Sequence, residues 1–430
     1  MNKSRRVLVI SANYWPETAG NAPYVTGMAE HLAAQGHKVV VATGFPHYPS
    51  WTSTSRGRLW KSEVRNGVRI RRRWHYVPRR QSALRRGLYE ATLTLSGMTA
   101  IWPRRFDVVI GVSPSLSGAA VAAGAATMFR CPYGLIIQDL VSRAASQSGV
   151  SGGGKVAGLL EKFELKLARS ATGVGVIADG FRDYLVAMGV QPSRIQRLRN
   201  WSNWHEPSEE RTAARDRLGW QPDEFVCLHA GNMGHKQGLE NLLDTAELLR
   251  GTRVRIVLAG DGNRRQDLEV LAAERGLSNV LFLPPQVPGE YEAMLMAADL
   301  LLVNQRPAVG DMALASKLTS YFAAGVAVVA AVARDSETGK ELVAAGAGEV
   351  VRPDVPNQLS EAIVRLMADA PLRESYGGAG RKYVAARLRS DVVLHDIERF
   401  VVSVAARVPV LDANQSADFI TDISSQGAQP

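Results

Sequence analysis

Cysteine is nearly missing from this chain: there are two, Cys131 and Cys227, in 430 residues. Each falls in or at the entry of an apolar stretch that reads as a strand, which excludes a disulfide framework and a thiolate metal cluster and fits a reducing cytoplasm. Long apolar runs are lacking too. The best candidate, Leu116–Phe129, is short, rich in alanine and glycine, and ended by Arg130; it suits a helix packed tightly on a sheet, not a bilayer span. The opening MNKSRRVLVISANY has no apolar core followed by a cleavage site, and VLVI reads as a buried first strand. There is no His-Glu-x-x-His and no Asp-x-Asp pair for a metal-held diphosphate, and Asp335 and Glu337 read as first-turn acids of a helix. No metal is expected.

Two partial motifs fail for chemical reasons. Gly149–Lys155, GVSGGGK, has most of a phosphate-binding loop, but Val156 stands where Ser or Thr must hold magnesium, and no apolar strand leads in. Gly111-Val-Ser113-Pro-Ser115 lacks the last glycine of a nucleophile elbow. Charge is unevenly spread. The net charge is +10, yet Trp51–Arg105 alone holds 14 Lys/Arg against two acids, leaving the rest near neutral. No recognition module accompanies this segment, so nucleic acid is not the expected partner. Arg71-Arg72-Arg73-Trp74-His75-Tyr76, then Arg79, Arg80, Arg85 and Arg86, set cations beside aromatics. Such a segment suits an anionic membrane surface, where each basic residue contributes about 1 kcal/mol. Leu84, Leu88, Leu95 and Ile101 give the following helix a partly apolar face; the alternative is an ordinary solvated face.

What is present is a repeated alternation of strands and helices. In the first half, Val7–Ala12, Lys38–Thr43, Val68–Arg72, Asp107–Val112, Tyr133–Gln138, Thr172–Ile177 and Arg194–Leu198 read as strands with helical patterns between them. The pattern restarts with Phe225–Ala230 and runs through Val254–Ala259, Val280–Leu283, Leu300–Asn304, Val326–Ala330 and Glu349–Val351. This predicts an α/β protein of two doubly wound parallel sheets. The expected division is a first domain over residues 1–200, with the basic segment 51–105, and a second over 201–390. A helix over 391–408 is free to cross back to the first domain, and a polar tail, 409–430, is too poor in bulky apolar groups to fold. Asn200–Trp220, polar and aromatic with a proline, reads as a hinge or linker.

The stretch Phe225–Arg250, FVCLHAGNMGHKQGLENLLDTAELLR, carries the functional reading. A short strand breaks into a loop with Gly231, Gly234 and Gly238, and a helix then presents Leu239, Leu242, Leu243, Ala246 and Leu249 on one face. Such a turn leaves N–H groups and a positive helix end outside the sheet, where a phosphate fits, and Lys236 adds a mobile full charge. The helix end alone contributes roughly 0.3–1 kcal/mol toward an exposed anion, so firm binding needs the lysine. On spacing alone the stretch fits equally a tight turn with a solvated lysine.

Taken with Tyr14-Trp-Pro-Glu-Thr-Ala-Gly20-Asn21, Gln138-Asp139 and Ser316-Lys317-Leu318, this loop resembles that of the retaining glycosyltransferases of family 4. More narrowly, it is similar to the colanic-acid fucosyltransferase-like group of bacterial polysaccharide enzymes. Pro46-His-Tyr-Pro49 with Trp51, Tyr76-Val-Pro78, Asn200-Trp-Ser202 and Gly260-Asp-Gly262 extend the match, in order, over roughly residues 7–400. The resemblance implies the GT-B fold, two Rossmann-like domains facing across a cleft. It also implies metal-free transfer of a sugar from a nucleoside diphosphate with retention at the anomeric carbon, and no further cofactor.

Residue roles follow from the same resemblance. Gly231, Gly234 and Gly238 shape a diphosphate cradle, Asn232, Lys236 and Gln237 contact it, and Lys236 stabilises charge on the leaving phosphate. Gly20, next to Asn21, brings a backbone N–H to the diphosphate; Gly260 and Gly262 belong to the donor side, and Leu283 meets the base through its backbone. Two glutamates usual in the family are replaced by Met312 and Ser320, so Asp311, Ser316 and Lys317 line the sugar side, Asp311 either holding a hydroxyl or capping a helix. Asp139, in a strand where Ile136 replaces a histidine of related chains, orients the acceptor, takes its proton, or merely turns the chain. His47 either lines the acceptor cleft or is simply exposed. No covalent nucleophile is evident, so attack comes from the face the phosphate leaves. The expected activity is transfer of a hexose, deoxyhexose or amino sugar to a lipid-linked saccharide acceptor at the cytoplasmic face of the membrane. A nucleotide-sugar epimerase and a non-catalytic nucleotide-binding scaffold are the alternatives.

Overall fold

A computed structural model describes residues 3–18, 20–48, 50–79, 82–101, 105–113, 115–140, 153–308 and 314–410. The chain divides into two units, one running up to Arg199 and resuming at Asp391, the other Asn200–Ser390. Asp311, Gly149–Gly152 of the glycine-rich loop and residues 411–430 of the tail lie outside the described residues.

In the first unit the apolar runs become β1 (Arg6–Ile10), β2 (Lys38–Gly44), β3 (Trp60–Arg65), β4 (Val68–Arg73), β5 (Val108–Val112), β6 (Tyr133–Ile137), β7 (Gly173–Val176) and β8 (Ile195–Arg197). Their order is β3-β4-β2-β1-β5-β6-β7-β8, parallel throughout except for β3 against β4. That edge hairpin corrects the expectation of a purely parallel sheet. Its strand WKSEVR leaves Trp60, Ser62 and Val64 exposed on one face and carries Lys61, Glu63 and Arg65 on the other, so it shows no apolar alternation. The usable signal was Asn66-Gly67, both at positive φ in the turn.

Helix Leu116–Phe129 lies close on this sheet because its residues are small: a Cβ on Gly111 would sit 2.8 Å from that of Ala122. Helix Ser390–Ala406 returns to the same unit. Phe400, fully buried, fills the space left by Gly134 and Gly173, whose added Cβ atoms would come within 3.1 and 3.2 Å of its ring.

The second unit holds β9 (Phe225–Ala230), β10 (Val254–Ala259), β11 (Val280–Leu283), β12 (Leu300–Asn304), β13 (Val328–Ala331) and β14 (Gly348–Val351), in the order β11-β10-β9-β12-β13-β14, all parallel. Leu239, Leu242, Leu243, Ala246 and Leu249 pack on it at 0–2% exposure, and each leucine buried this way contributes roughly 1.5–3 kcal/mol. Within Asn200–Trp220, Trp201 and Trp220 are buried and Arg211–Arg217 is helical.

In each sheet the first strand has its successors on one side and the later strands on the other. The order therefore reverses between β1 and β5, and again between β9 and β12. Such switch points open a crevice at the carboxyl ends of the strands, where ligands of these folds bind. Among the described residues no helix is long and apolar enough to cross a membrane.

Candidate active site

The second crevice is built by a splay. β9 and β12 pair only through Cys227–Leu300 and Leu228–Leu301, and beyond that point they part. The buried Tyr321 hydroxyl fills the gap, accepting from the Ala230 N–H at 2.8 Å and lying 3.3–3.4 Å from the Ala230 and Leu302 carbonyls. Above it, Asn304 Nδ2 donates to the carbonyls of Gln237 (2.7 Å) and Gly238 (2.8 Å), while its Oδ1 accepts from Asn241 Nδ2 at 2.7 Å. The Arg306 N–H donates to the Lys236 carbonyl at 3.0 Å. One wall of the glycine loop is thus fixed to β12.

Its other wall rests on the loop after β10. Met233 N–H donates to the Asp261 carbonyl at 2.8 Å. A Cβ on Gly260 would lie 1.9 Å from the Gly231 carbonyl oxygen, and one on Gly262 would lie 2.5 Å from that of Met233. Both glycines are therefore needed for packing, because only their lack of a side chain lets the two loops touch. Gly260 also sits at φ +137, so Gly260→Ala is expected to displace the loop and lower the melting temperature by roughly 2–4 °C for each kcal/mol lost. An unchanged thermal unfolding midpoint would contradict this.

Between these walls the chain differs from expectation in one respect. The loop does not feed the helix directly; His235–Gln237 forms a 3-10 turn, Gly238 takes a left-handed conformation at φ +56, and the helix begins at Glu240. That helix end is already met by its own acid, since Glu240 pairs with Arg264 at 2.8 Å and Arg306 at 3.3 Å. The N–H groups that open the 3-10 turn, by contrast, lie where no carbonyl of the turn can reach them. Gln237 Oε1 accepts from the Gly234 N–H at 3.1 Å and lies 3.5 Å from Asn232 Nδ2, so these side chains close the loop as well as border it. Lys236 is exposed and makes no ion pair among the described residues.

A second cation approaches the same loop. Lys317, first residue of helix Lys317–Ala324, places Nζ 3.2 Å from where a Gly231 Cβ would stand and 3.0 Å from Nε2 of His229. Burial lowers the Lys317 pKa to about 7, and burial together with Lys317 drives that of His229 well below its ordinary value. The imidazole is therefore neutral, within hydrogen-bonding distance of the lysine nitrogen. Ser316 beside it is exposed, and its carbonyl accepts from Thr319 Oγ1 at 2.9 Å. The Leu283 carbonyl accepts from the Gly260 N–H (3.0 Å) and Arg265 Nη1 (3.1 Å), which ties the end of β11 to the loop after β10.

In the first unit the loops after β1, β5 and β6 converge on Ser113. Asn21 Nδ2 donates to the Ser113 carbonyl at 3.0 Å, and Ser113 Oγ accepts from the Gln138 N–H at 3.0 Å and lies 3.4 Å from the Asp139 carbonyl. Asn21 thus ties loops together, whereas Gly20 (φ +64) and Asp139 are exposed at the crevice. Tyr48 stands 3.2 Å from a would-be Gly20 Cβ. His47 is buried, not exposed. Its ring nitrogens face the Phe45 carbonyl (3.0 Å) and the Tyr89 hydroxyl (3.1 Å), and Glu17 accepts from its N–H at 2.7 Å. The basic segment is also partly structural: Arg71 and Arg72 are buried, donating to the Ala100 carbonyl and Glu63 at 2.8 and 2.7 Å, and Ile101 belongs to the core.

Asn304, Asn241, Tyr321 and His229 were not singled out from the sequence; each acts across long separations and carries no local pattern.

Two doubly wound α/β units are the architecture of the GT-B glycosyltransferases. Residues 19–201 match the glycosyl transferase 4-like domain and residues 210–383 the glycosyl transferases group 1, and the chain belongs to this GT-B, family 4 type of glycosyltransferase. It is 31% identical to the putative colanic acid biosynthesis glycosyl transferase WcaI of Escherichia coli (strain K12), over 90% of this chain and 98% of that one. Among solved structures, the sucrose-phosphate synthase of Thermosynechococcus elongatus superposes with a TM-score of 0.71 at 18% identity, covering 94% of this chain and all (100%) of that one. Anabaena HepE in complex with UDP-glucose superposes at 0.66 with 15% identity, covering 93% and 100% of the two chains.

Proposed function

We propose that this protein is a retaining, metal-independent glycosyltransferase that moves a hexose, deoxyhexose or amino sugar from a nucleoside diphosphate to a saccharide carried on a lipid, in surface polysaccharide or glycoconjugate biosynthesis. The observation that carries the reading is the pair of lysines at the splay of β9 and β12: Lys236 exposed and without an ion pair among the described residues, Lys317 half-buried against a neutral histidine. Two cations above a glycine loop suit a leaving diphosphate, whose charge grows as the glycosidic bond breaks. The relative named for colanic acid biosynthesis and the neighbour holding UDP-glucose support the donor class and the pathway type. Gly20 and Asp139 keep the roles of diphosphate contact and acceptor orientation as part of the proposal.

A thermal-shift panel of UDP, GDP and dTDP, followed by incubation of the matching labelled sugar with a membrane extract, tests this. One diphosphate should stabilise the protein, and label should enter extractable lipid. Isomerised donor without transfer would indicate an epimerase, and binding without turnover a scaffold. Turnover is expected to survive EDTA, since lysines do the neutralising; loss restored by magnesium would contradict that.

The lipid-linked acceptor requires a membrane surface. Helix Ala83–Ala100 exposes Leu84, Leu88 and Leu95 at 85%, 49% and 71%, and Arg69 and Arg79 nearby in sequence are exposed without an ion pair among the described residues. Anionic vesicles are expected to float the protein and neutral ones not, with Leu84→Glu/Leu88→Glu abolishing flotation. Equal binding to both vesicle types would exclude the arginine contribution.

A further inference from the structure

A cavity of about 300 Å³ opens in the first unit between the segment after β1, the end of β2 and the β3 hairpin. Four cations line it, Arg56, Arg58, Lys61 and Arg72, against a single acid, Glu63, with Trp15 as an aromatic wall. The acid is already shared: it accepts from Lys61 and, at 2.7 Å, from Arg72 Nε. Arg72 is 2% exposed and also donates to the Trp15 carbonyl at 2.5 Å, so this end of the cavity is a fixed cationic frame. The Arg65 guanidinium lies 4.5 Å from the Trp15 ring centroid and steadies that wall.

Arg56 and Arg58 are different. Both are exposed and make no ion pair among the described residues. They sit on a tight turn in which Arg56 (φ +47) and Gly57 (φ +79) are both left-handed and the Arg58 N–H donates to the Ser55 carbonyl at 3.0 Å. A left-handed arginine is held at an energetic cost, and such residues cluster where a side chain must be aimed. An excess of three positive charges round a small cavity with an aromatic and proline wall calls for a compact, multiply charged anion with an apolar neighbour.

We propose that this cavity binds the diphosphate of an isoprenoid lipid carrier, in which one phosphate is esterified to the lipid and, in a loaded acceptor, the other to the saccharide. The lipid source rests on the functional reading above; the anion site does not. Arg56 and Arg58 would grip the phosphate oxygens, and Trp15 would lie along the first apolar units of the ester.

Binding of inorganic pyrophosphate and of farnesyl diphosphate to the full chain already saturated with the nucleoside diphosphate it holds, measured by calorimetry, tests this against the Arg56→Ala/Arg58→Ala variant. Among the described residues neither arginine makes an ion pair, so the variant should melt as the wild type does. Both probes are expected to bind, and the variant to weaken both by about tenfold or more, while its nucleoside diphosphate affinity is unchanged. Lys236→Ala should show the converse, so that failure here and failure of the donor site are separable. Tighter binding of farnesyl diphosphate than of pyrophosphate identifies the lipid-borne source; equal binding identifies a free anion. No binding to the wild type, or binding that the variant leaves intact, would overturn the proposal.

Discussion

Replacing Lys236 by alanine is expected to lower turnover by about 100- to 1000-fold, the range seen when one preorganised charge stabiliser is removed from an active site. The fold should not change. Lys236 is exposed and makes no ion pair among the described residues, and the turn that carries it is held by its backbone, through Asn304 and the Arg306 N–H. The loss should fall mainly on kcat, because the charge that Lys236 meets is larger on the departing diphosphate than on the bound donor. Near-normal kcat/KM would remove Lys236 from the chemistry, whatever the rest of the loop does.

Changing Lys317 to methionine is expected to raise the donor dissociation constant about ten- to a hundredfold, the effect of losing hydrogen bonds made by a charged group. Its pH signature is more telling. Free Lys317 has its pKa lowered to about 7 by burial, and a diphosphate beside it would raise that value again. Donor affinity should therefore fall as pH rises from about 7, where the free enzyme loses the proton that binding requires. Stability without ligand should move the other way. Between about 7 and the ordinary 10.5 the unfolded lysine holds a proton that the folded one does not, so this group makes unfolding harder as pH rises. In Lys317→Met both trends should vanish. Donor affinity independent of pH across this window in the wild type would show that Lys317 does not face the diphosphate.

The second unit was legible almost to the residue, and the reason is its burial. β9, β10, β11 and β12 are short apolar runs with glycine or polar breaks at both ends, so pattern and structure share the same bounds. The glycine loop was visible for a related reason, because Gly231, Gly238 and Gly260 occupy conformations that side chains disfavour. What sequence could not show is how that loop is held. Asn304 reaches Asn241 and Gln237 across 63 and 67 residues, and Lys317 reaches His229 across 88, so no local spacing records the pairing. The arginine run misled in the opposite way. Arg71 and Arg72 read as surface cations, yet cross-strand neighbours and a helix end bury them, and only the exposed remainder is available to an anion.

The most direct test of the two-lysine cradle is a crystal of the protein grown with its nucleoside diphosphate. The account predicts phosphate oxygens within hydrogen-bonding distance of Lys236 Nζ, Lys317 Nζ and the N–H groups of the 3-10 turn. A nucleotide lodged elsewhere, with both lysines turned away from it, would contradict it.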